Sequence, residues 1–383
     1  VHSLIPITFG HAANDIYVSF LPALLPLFIA NLGISHTRAG LLSLLRQTPS
    51  LVQPAIGHLA DRFDLRAVVI LAPTITAVMT GLLGLAPSYT LLALLLLAAG
   101  ISNTAFHAVT PALAGELSGK SHVGRSIGLW IFGGELGFTL GPLLIVSFVD
   151  RYGLQAMPRL VFIGLLGSLV LFSRLRGVSQ HTARSAASLP WRQALRQVGR
   201  AMAPLLGLVV TRSLAMSALA SYLPTYLSAE GSSFWLAGAS LTVYQGAASL
   251  GVLAGGSLSD RVGRRMVMIG SMLLTPLALF AFLGLNGIAR LLTLVAVGFV
   301  VVTFDPAAMA HVQESAMHNR ALASSIYLSL SFFIRSVAVV VVGVLADWIG
   351  LRWAFVVSAV VFLLGTPLSL LLPAPPSAAQ TSG

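Results

Sequence analysis

The sequence predicts an all-α membrane protein, with twelve transmembrane helices arranged as two pseudo-symmetric six-helix bundles. Three observations predict it: a scarcity of charge, twelve apolar stretches of spanning length, and a set of polar markers that recurs half a chain later. Only 9% of the 383 residues are charged while 56% are hydrophobic, and the mean hydropathy is +0.91. A soluble domain carries about 25% charge. A spanning helix needs about 20 apolar residues, and such stretches lie at roughly 3–31, 38–60, 67–86, 90–113, 123–149, 157–176, 204–229, 235–258, 266–285, 288–312, 320–346 and 352–372. Lipid satisfies no backbone polar group, so each span must be a helix or a strand of a closed barrel, and runs without period-two alternation exclude the barrel.

The first stretch holds an anomaly, "GHAANDIYVSF" at residues 10–20. Residues three and four apart share a helical face, so His11, Asn14 and Asp15 form one polar stripe that needs something other than lipid to face. No basic segment with a small-residue cleavage site precedes this span, which is expected to act as its own insertion signal. Cysteine is absent, which removes disulfides and thiol chemistry. The net charge of +11 sits in short loops and forms no patch or arm, so no nucleic-acid partner is expected. With the N-terminus cytoplasmic, fourteen basic residues fall on cytoplasmic loops and five on the far side. That asymmetry predicts a multi-pass membrane protein with both termini cytoplasmic.

Residues 177–203 form the longest polar connection and divide six spans from six. The expected organisation is a six-helix bundle over 1–176, a cytoplasmic linker over 177–203, a second bundle over 204–373 and a disordered Pro- and Ser-rich tail over 374–383. "GHLADRFDLRAVVI" after the second span recurs as "GGSLSDRVGRRMVMI" after the eighth, which sets Asp61 against Asp260 at a shift of 199. Gln47 with Gln245 and Glu116 with Glu314 repeat at 198, and Asp150 with Asp347 at 197. Recurrence of order and spacing indicates a duplicated unit with a site between parallel halves, the plan of a transporter.

On these residues the chain resembles the major facilitator superfamily over nearly its full length. The loop from Gly256 through Asp260, Arg261, Gly263, Arg264 and Arg265 is a full copy of that superfamily's loop signature. The first copy keeps Gly57, Asp61 and Arg62 but has Asp64 and Leu65 where Gly-Arg is usual. The resemblance implies that Asp61, Arg62, Asp260, Arg261, Arg264 and Arg265 act as a conformational latch, with topogenic charge as the alternative. A narrower resemblance, to the fosmidomycin-resistance branch of drug exporters, rests on "GHAAND", "VQPAIGHLADR", "FHAVTPALAGELSG", "GGELGFTLGPL" and "HVQES". Gly128, Gly137, Gly141 and Pro142 fit the fifth-helix spacing that exporters of the superfamily often carry, although Ile145 stands where that pattern continues to a glycine. Small residues at this spacing also permit close helix packing.

An ionisable residue at bilayer depth costs at least about 2.5 kcal/mol unless it faces protein or water. Asp15, Arg46, Glu135, Arg212, Asp305 and Arg335, with His11 and His107, are therefore the candidate functional residues. In the fold implied by the resemblance, they all fall on cavity-lining or flanking spans. His107 and Asp305 are 198 residues apart and so occupy matching positions, and each lies shortly before a proline that frees backbone groups. Asp15, His11, Glu135 and Asp305 are the proton-coupling candidates. Arg46, Arg212 and Arg335 suit bidentate recognition of an anion, and Asn103, Gln47, Gln245, His107, Tyr222, Tyr226 and Tyr244 complete the expected substrate-binding set. Structural pairing is the alternative for the arginines, and interhelical hydrogen bonding for the amides and for His107. A substrate anion that takes an arginine from its carboxylate links substrate occupancy to proton occupancy.

There is no P-loop and no metalloprotease His-Glu-x-x-His, and "GRSIG" around Ser126 lacks the strand-to-helix setting of a nucleophile elbow. The chain is expected not to be an enzyme and to need no cofactor or metal. The expected function is alternating-access antiport, exporting a small anionic or amphiphilic compound against protons, from a monomer in the bilayer. Proton-coupled uptake of an organic anion is the alternative.

Overall fold

A computed structural model describes residues 5–60, 63–117, 123–175, 191–315 and 320–372, and these are almost entirely helical. Eleven of its helices are long and apolar enough to cross a membrane, from Ile5–Leu32 to Leu351–Leu370. The remaining expected span runs as His36–Gln47, a 3₁₀ turn over Thr48–Val52, and Gln53–Ala60. Pro49 supplies no N–H to an α-helical ladder, which accounts for the tighter turn there. Polar His36, Arg38, Arg46 and Gln47 make this the least apolar of the twelve transmembrane helices. The tail over 374–383 and most of the linker lie outside the described residues, while the helix Trp191–Ser217 begins within the linker.

The first span is itself broken, into Ile5–Asp15 and Phe20–Leu32. Tyr17 sits in the break and is buried, its hydroxyl donating to the Leu160 carbonyl at 2.6 Å and accepting from the Gly164 amide at 3.1 Å. One phenol thus anchors the interruption to the sixth span, directly after Asp15.

The sequence repeat recurs as packing. Gly100 of the fourth span lies against the Arg46 carbonyl, where an added Cβ would meet that oxygen at 2.1 Å. Gly298 of the tenth lies against the Tyr244 carbonyl at 2.5 Å in the same sense. Gly100 and Gly298, like Arg46 and Tyr244, are 198 residues apart. The crossing of the second span on the fourth is therefore reproduced by the eighth on the tenth. Gly100→Leu and Gly298→Leu are each expected to destabilise by about 1–3 kcal/mol or more, because backbone cannot step aside as a side-chain tip can. Thermal unfolding in detergent checks this, with Gly270→Leu as control, since a Cβ at Gly270 meets nothing within 4 Å.

Contacts group the chain into two compact units, Val1–Ala186 with Ala220–Thr242, and Ala187–Leu219 with Val243–Gly383. In the first, helix Leu223–Ala229 packs on Phe20–Leu32, and Trp235 donates its indole N–H to Ser147 Oγ at 2.9 Å. In the second, Arg264–Gly284 packs along Gly287–Ser315. The boundary at Leu219 and Ala220 falls inside a single π-helical turn, Ala218–Tyr222, two residues before Pro224. Such turns insert one extra residue into the helical ladder and are frequent at functional positions.

Candidate functional site

The polar stripe of the first span meets the fourth span inside the first unit. His11, at 3% exposure, and Asn14, fully buried, stand one turn apart on the broken helix. His11 Nε2 lies 3.0 Å from Asp15 Oδ2, His107 Nε2 lies 3.3 Å from the same oxygen, and the two imidazole nitrogens are 3.1 Å apart. Each ring turns its other nitrogen to a backbone carbonyl, His11 Nδ1 to Trp130 at 2.7 Å and His107 Nδ1 to Asn103 at 3.0 Å. A carbonyl only accepts, so both Nδ1 atoms carry hydrogen and both neutral rings present Nε2 lone pairs to one point. With Asp15 Oδ2 this makes three acceptors facing one another. Such a group holds together around a bound cation, a proton being the smallest.

Asn14 secures the carboxylate. Its Nδ2 donates to Asp15 Oδ1 at 2.9 Å and to Asn103 Oδ1 at 3.4 Å, while its Oδ1 accepts from Thr76 at 3.1 Å. The same Thr76 hydroxyl lies 3.1 Å from Ser102 Oγ, an alternative acceptor for its one hydrogen, and Ser102 donates to the Ala72 carbonyl at 3.1 Å. The Trp130 ring stacks on His11 with centroids 4.2 Å apart and planes 19° from parallel. Gly134 provides the clearance, since a Cβ there would meet His11 Nε2 at 2.6 Å and Asp15 Oδ2 at 3.0 Å. Arg46 lies within electrostatic reach of both Asp15 and His107.

A second polar group occupies the second unit, between the seventh and tenth spans. Arg212 Nη1 donates to Asp305 Oδ1 at 2.6 Å and Nη2 to Oδ2 at 3.4 Å, with Nη2 also donating to the Val301 carbonyl. The guanidinium is 3% exposed and lies over the Phe304 ring at 4.2 Å, whereas the Asp305 side chain is 40% exposed. Tyr244 and Tyr327 are both buried within electrostatic reach of Arg212, Asp305 and Arg335. Gln245 is buried at 4% exposure with neither amide atom hydrogen-bonded, and Arg212 Nε is also unpartnered. A buried amide without partners is costly.

The two groups share one register. Asn14 and Arg212, Asn103 and Val301, Phe106 and Phe304, and His107 and Asp305 are all 198 residues apart. The bond from Asn14 to Asn103 therefore has its counterpart in the bond from Arg212 to Val301.

A family model described as Major Facilitator Superfamily matches residues 7–243 and 205–383. The chain belongs to this superfamily. Its fold is that of a membrane transporter, and it is not an enzyme. The chain is 27% identical over 377 residues to the fosmidomycin resistance protein of Escherichia coli (strain K12), covering 96% of this chain and 91% of that protein. It is 25% identical over 383 residues to YfnC, an uncharacterized MFS-type transporter of Bacillus subtilis (strain 168), covering 97% and 92%. Among solved structures, it superposes on a bacterial homolog of the human lysosomal transporter Spinster with a TM-score of 0.80 at 15% identity, covering 97% and 96%. The nucleoside transporter NupG gives 0.79 at 14% identity, covering 97% and 99%.

Of the superfamily loop signature, the second copy is described. Arg264 donates to Asp260, to Ser259 Oγ at 2.8 Å and to Glu314 Oε1 at 3.2 Å, which ties the end of the eighth span to the tenth. Arg265 donates to the Leu370 carbonyl, and Arg261 is exposed. Asp61 and Arg62 lie outside the described residues. Asp64, where the signature departs from the superfamily, takes Arg66 Nε at 2.8 and 2.7 Å, and these donated bonds hold its carboxyl below the usual carboxylate range.

Gly137 and Gly141 bring the fifth span onto the first. A Cβ at Gly137 would meet the Ala12 carbonyl at 2.4 Å, and one at Gly141 the Ile16 carbonyl at 2.3 Å; buried Pro142 follows, while Gly128 has nothing within 4 Å. Glu135 is exposed. Tyr222 and Tyr226 are buried in the first unit, Tyr222 donating to the His36 carbonyl at 2.7 Å. Gln47 is half-buried, and Arg335 lies over Phe332 at 4.8 Å. Sequence reasoning missed Trp130, Thr76, Ser102, Phe304 and Tyr327. Trp130 and Tyr327 are 197 residues apart, so the repeat itself was the signal for them.

Proposed function

We propose that the chain is a proton-coupled secondary transporter of the bacterial inner membrane, exporting a small anionic or amphiphilic compound by alternating access. The observation that carries this reading is the Arg212–Asp305 pair, whose guanidinium is buried while its carboxylate is partly exposed. A planar guanidinium suits a carboxylate, phosphate or phosphonate oxygen pair. A substrate that places its anionic group on Arg212 and a hydroxyl or amide N–H on Asp305 requires that carboxylate unprotonated. A proton on Asp305 then expels the substrate, and substrate expels the proton, which is the mutual exclusion that antiport needs. Tyr244 and Tyr327 lie within electrostatic reach of Asp305 and of Arg335. The resistance named for the Escherichia coli relative supports export.

A second reading follows from the same pair. A substrate lacking the donor group leaves Asp305 without a partner, and the carboxylate then binds a proton together with the anion on Arg212, which gives symport and uptake. Growth of bacteria deprived of their major exporters, challenged with phosphonate, organic-anion and cationic drugs, separates the two. Export predicts resistance that Asp305→Asn abolishes. Heightened sensitivity to an anionic compound overturns export in favour of uptake. For any hit, purified protein in weak buffer with a pH dye should release protons on substrate binding if it is an antiporter, and take them up if it is a symporter.

A further inference from the structure

The three acceptors in the first unit form a triangle with sides of 3.0, 3.1 and 3.3 Å. A four-coordinate zinc-class ion, with bonds of about 2.0–2.1 Å, sets its ligands about 3.3 Å apart along each tetrahedral edge. His11 Nε2, Asp15 Oδ2 and His107 Nε2 therefore already span one face of such a tetrahedron. From this the geometry points to a binding site for one divalent transition-metal ion of the zinc class, with its fourth position open to water or to an anionic oxygen.

Three features beyond the triangle support it. The donor set of two imidazoles and one carboxylate is the kind that zinc, cobalt and nickel accept. Both rings are fixed from behind by backbone carbonyls, of Trp130 and Asn103, which sets the tautomer that leaves Nε2 free to bind metal. The outer oxygen of Asp15 is likewise held by Asn14, at 2.9 Å. The site is also accessible, because exposure rises from 4% at His11 through 13% at Asp15 to 27% at His107. A proton joins these atoms two at a time, whereas a metal ion uses all three at once. His11 and Asp15 are one helical turn apart, and the third ligand arrives 96 residues later, so no local sequence motif announces the set.

Arg46 is the opposing charge within reach of Asp15 and His107. It weakens a dication at this point without occupying a ligand position. The proposal is independent of coupling at Asp305 and concerns a different unit.

The test uses the full, untagged chain in detergent, titrated with cobalt(II) and read by visible absorption, with zinc(II) competition. The expected result is one saturable cobalt ion per chain, with the intense spectrum of four-coordinate geometry. His107→Ala and Asp15→Asn should each weaken binding by at least about tenfold, and Arg46→Ala should tighten it. The chain has no cysteine, so His107→Cys adds a lone thiol that should restore binding with a new sulfur-to-cobalt charge-transfer band. A variant merely misfolded by loss of His107 gives no such band. Absence of saturable binding in the unaltered chain overturns the site, as does equal binding by the unaltered chain and a folded His107→Ala. Because the readout is spectroscopic, neither outcome depends on transport.

Discussion

Arg212→Ala is expected to abolish transport and to destabilise the protein by an amount near the lower end of the ~3–5 kcal/mol typical of a broken buried pair. The guanidinium is buried at 3% while Asp305 is 40% exposed, so the abandoned carboxylate regains some water. The Val301 carbonyl also loses its charged donor and keeps the longer contact from Ser271, and the Phe304 face loses its cation. Removing both charges should reverse much of the stability loss, since Arg212→Ala with Asp305→Ala leaves no uncompensated ion. Transport should remain absent. Thermal unfolding in detergent, set beside transport in vesicles, distinguishes the cases. If the double variant is as unstable as Arg212→Ala alone, the arginine acts through its packing on Phe304 and not through its charge.

Asn14→Leu should have the next largest effect. Asn14 is fully buried, and its side chain serves Asp15, Asn103 and Thr76 at once. Leucine fills similar space but satisfies none of them, and each buried polar group left unpaired costs about 1–3 kcal/mol. Thr76 retains Ser102 as a partner, so the loss should fall mainly on Asp15 and Asn103. Asn14→Ser, able to serve part of the set, should be the milder variant in both unfolding temperature and transport. Equal effects of Asn14→Ser and Asn14→Leu would mean that shape governs the position more than hydrogen bonding does.

The fold was legible because the bilayer imposes a length and a composition that any window of the sequence reveals. The second span was least legible. Arg46 and Gln47 dilute its hydrophobicity, and Pro49 turns it into 3₁₀ form. Within the candidate sites, Asp15, His107, Arg212 and Asp305 stood out because ionised groups are expensive in lipid. Their partners were invisible for the opposite reason. The Trp130, Asn103 and Val301 carbonyls belong to the main chain, and Thr76 and Ser102 are small hydroxyls common in any helix bundle. Tyr222 and Tyr226 are both packed inside the first unit, with the Tyr222 hydroxyl bonded to a backbone carbonyl.

The shared register of the two polar groups separates inheritance of place from inheritance of chemistry. Asn14 and Arg212 hold one address, His107 and Asp305 another, yet the first unit puts its acid on the earlier helix and the second unit puts its acid on the later one. After duplication, each copy kept the two facing slots and filled them with different chemistry, an amide facing an imidazole in the first and a guanidinium facing a carboxylate in the second. A chain of this kind is then best compared with itself. Aligning one half on the other and marking slots that are polar in both, whatever the residues, locates its working positions more sharply than a search for matching letters.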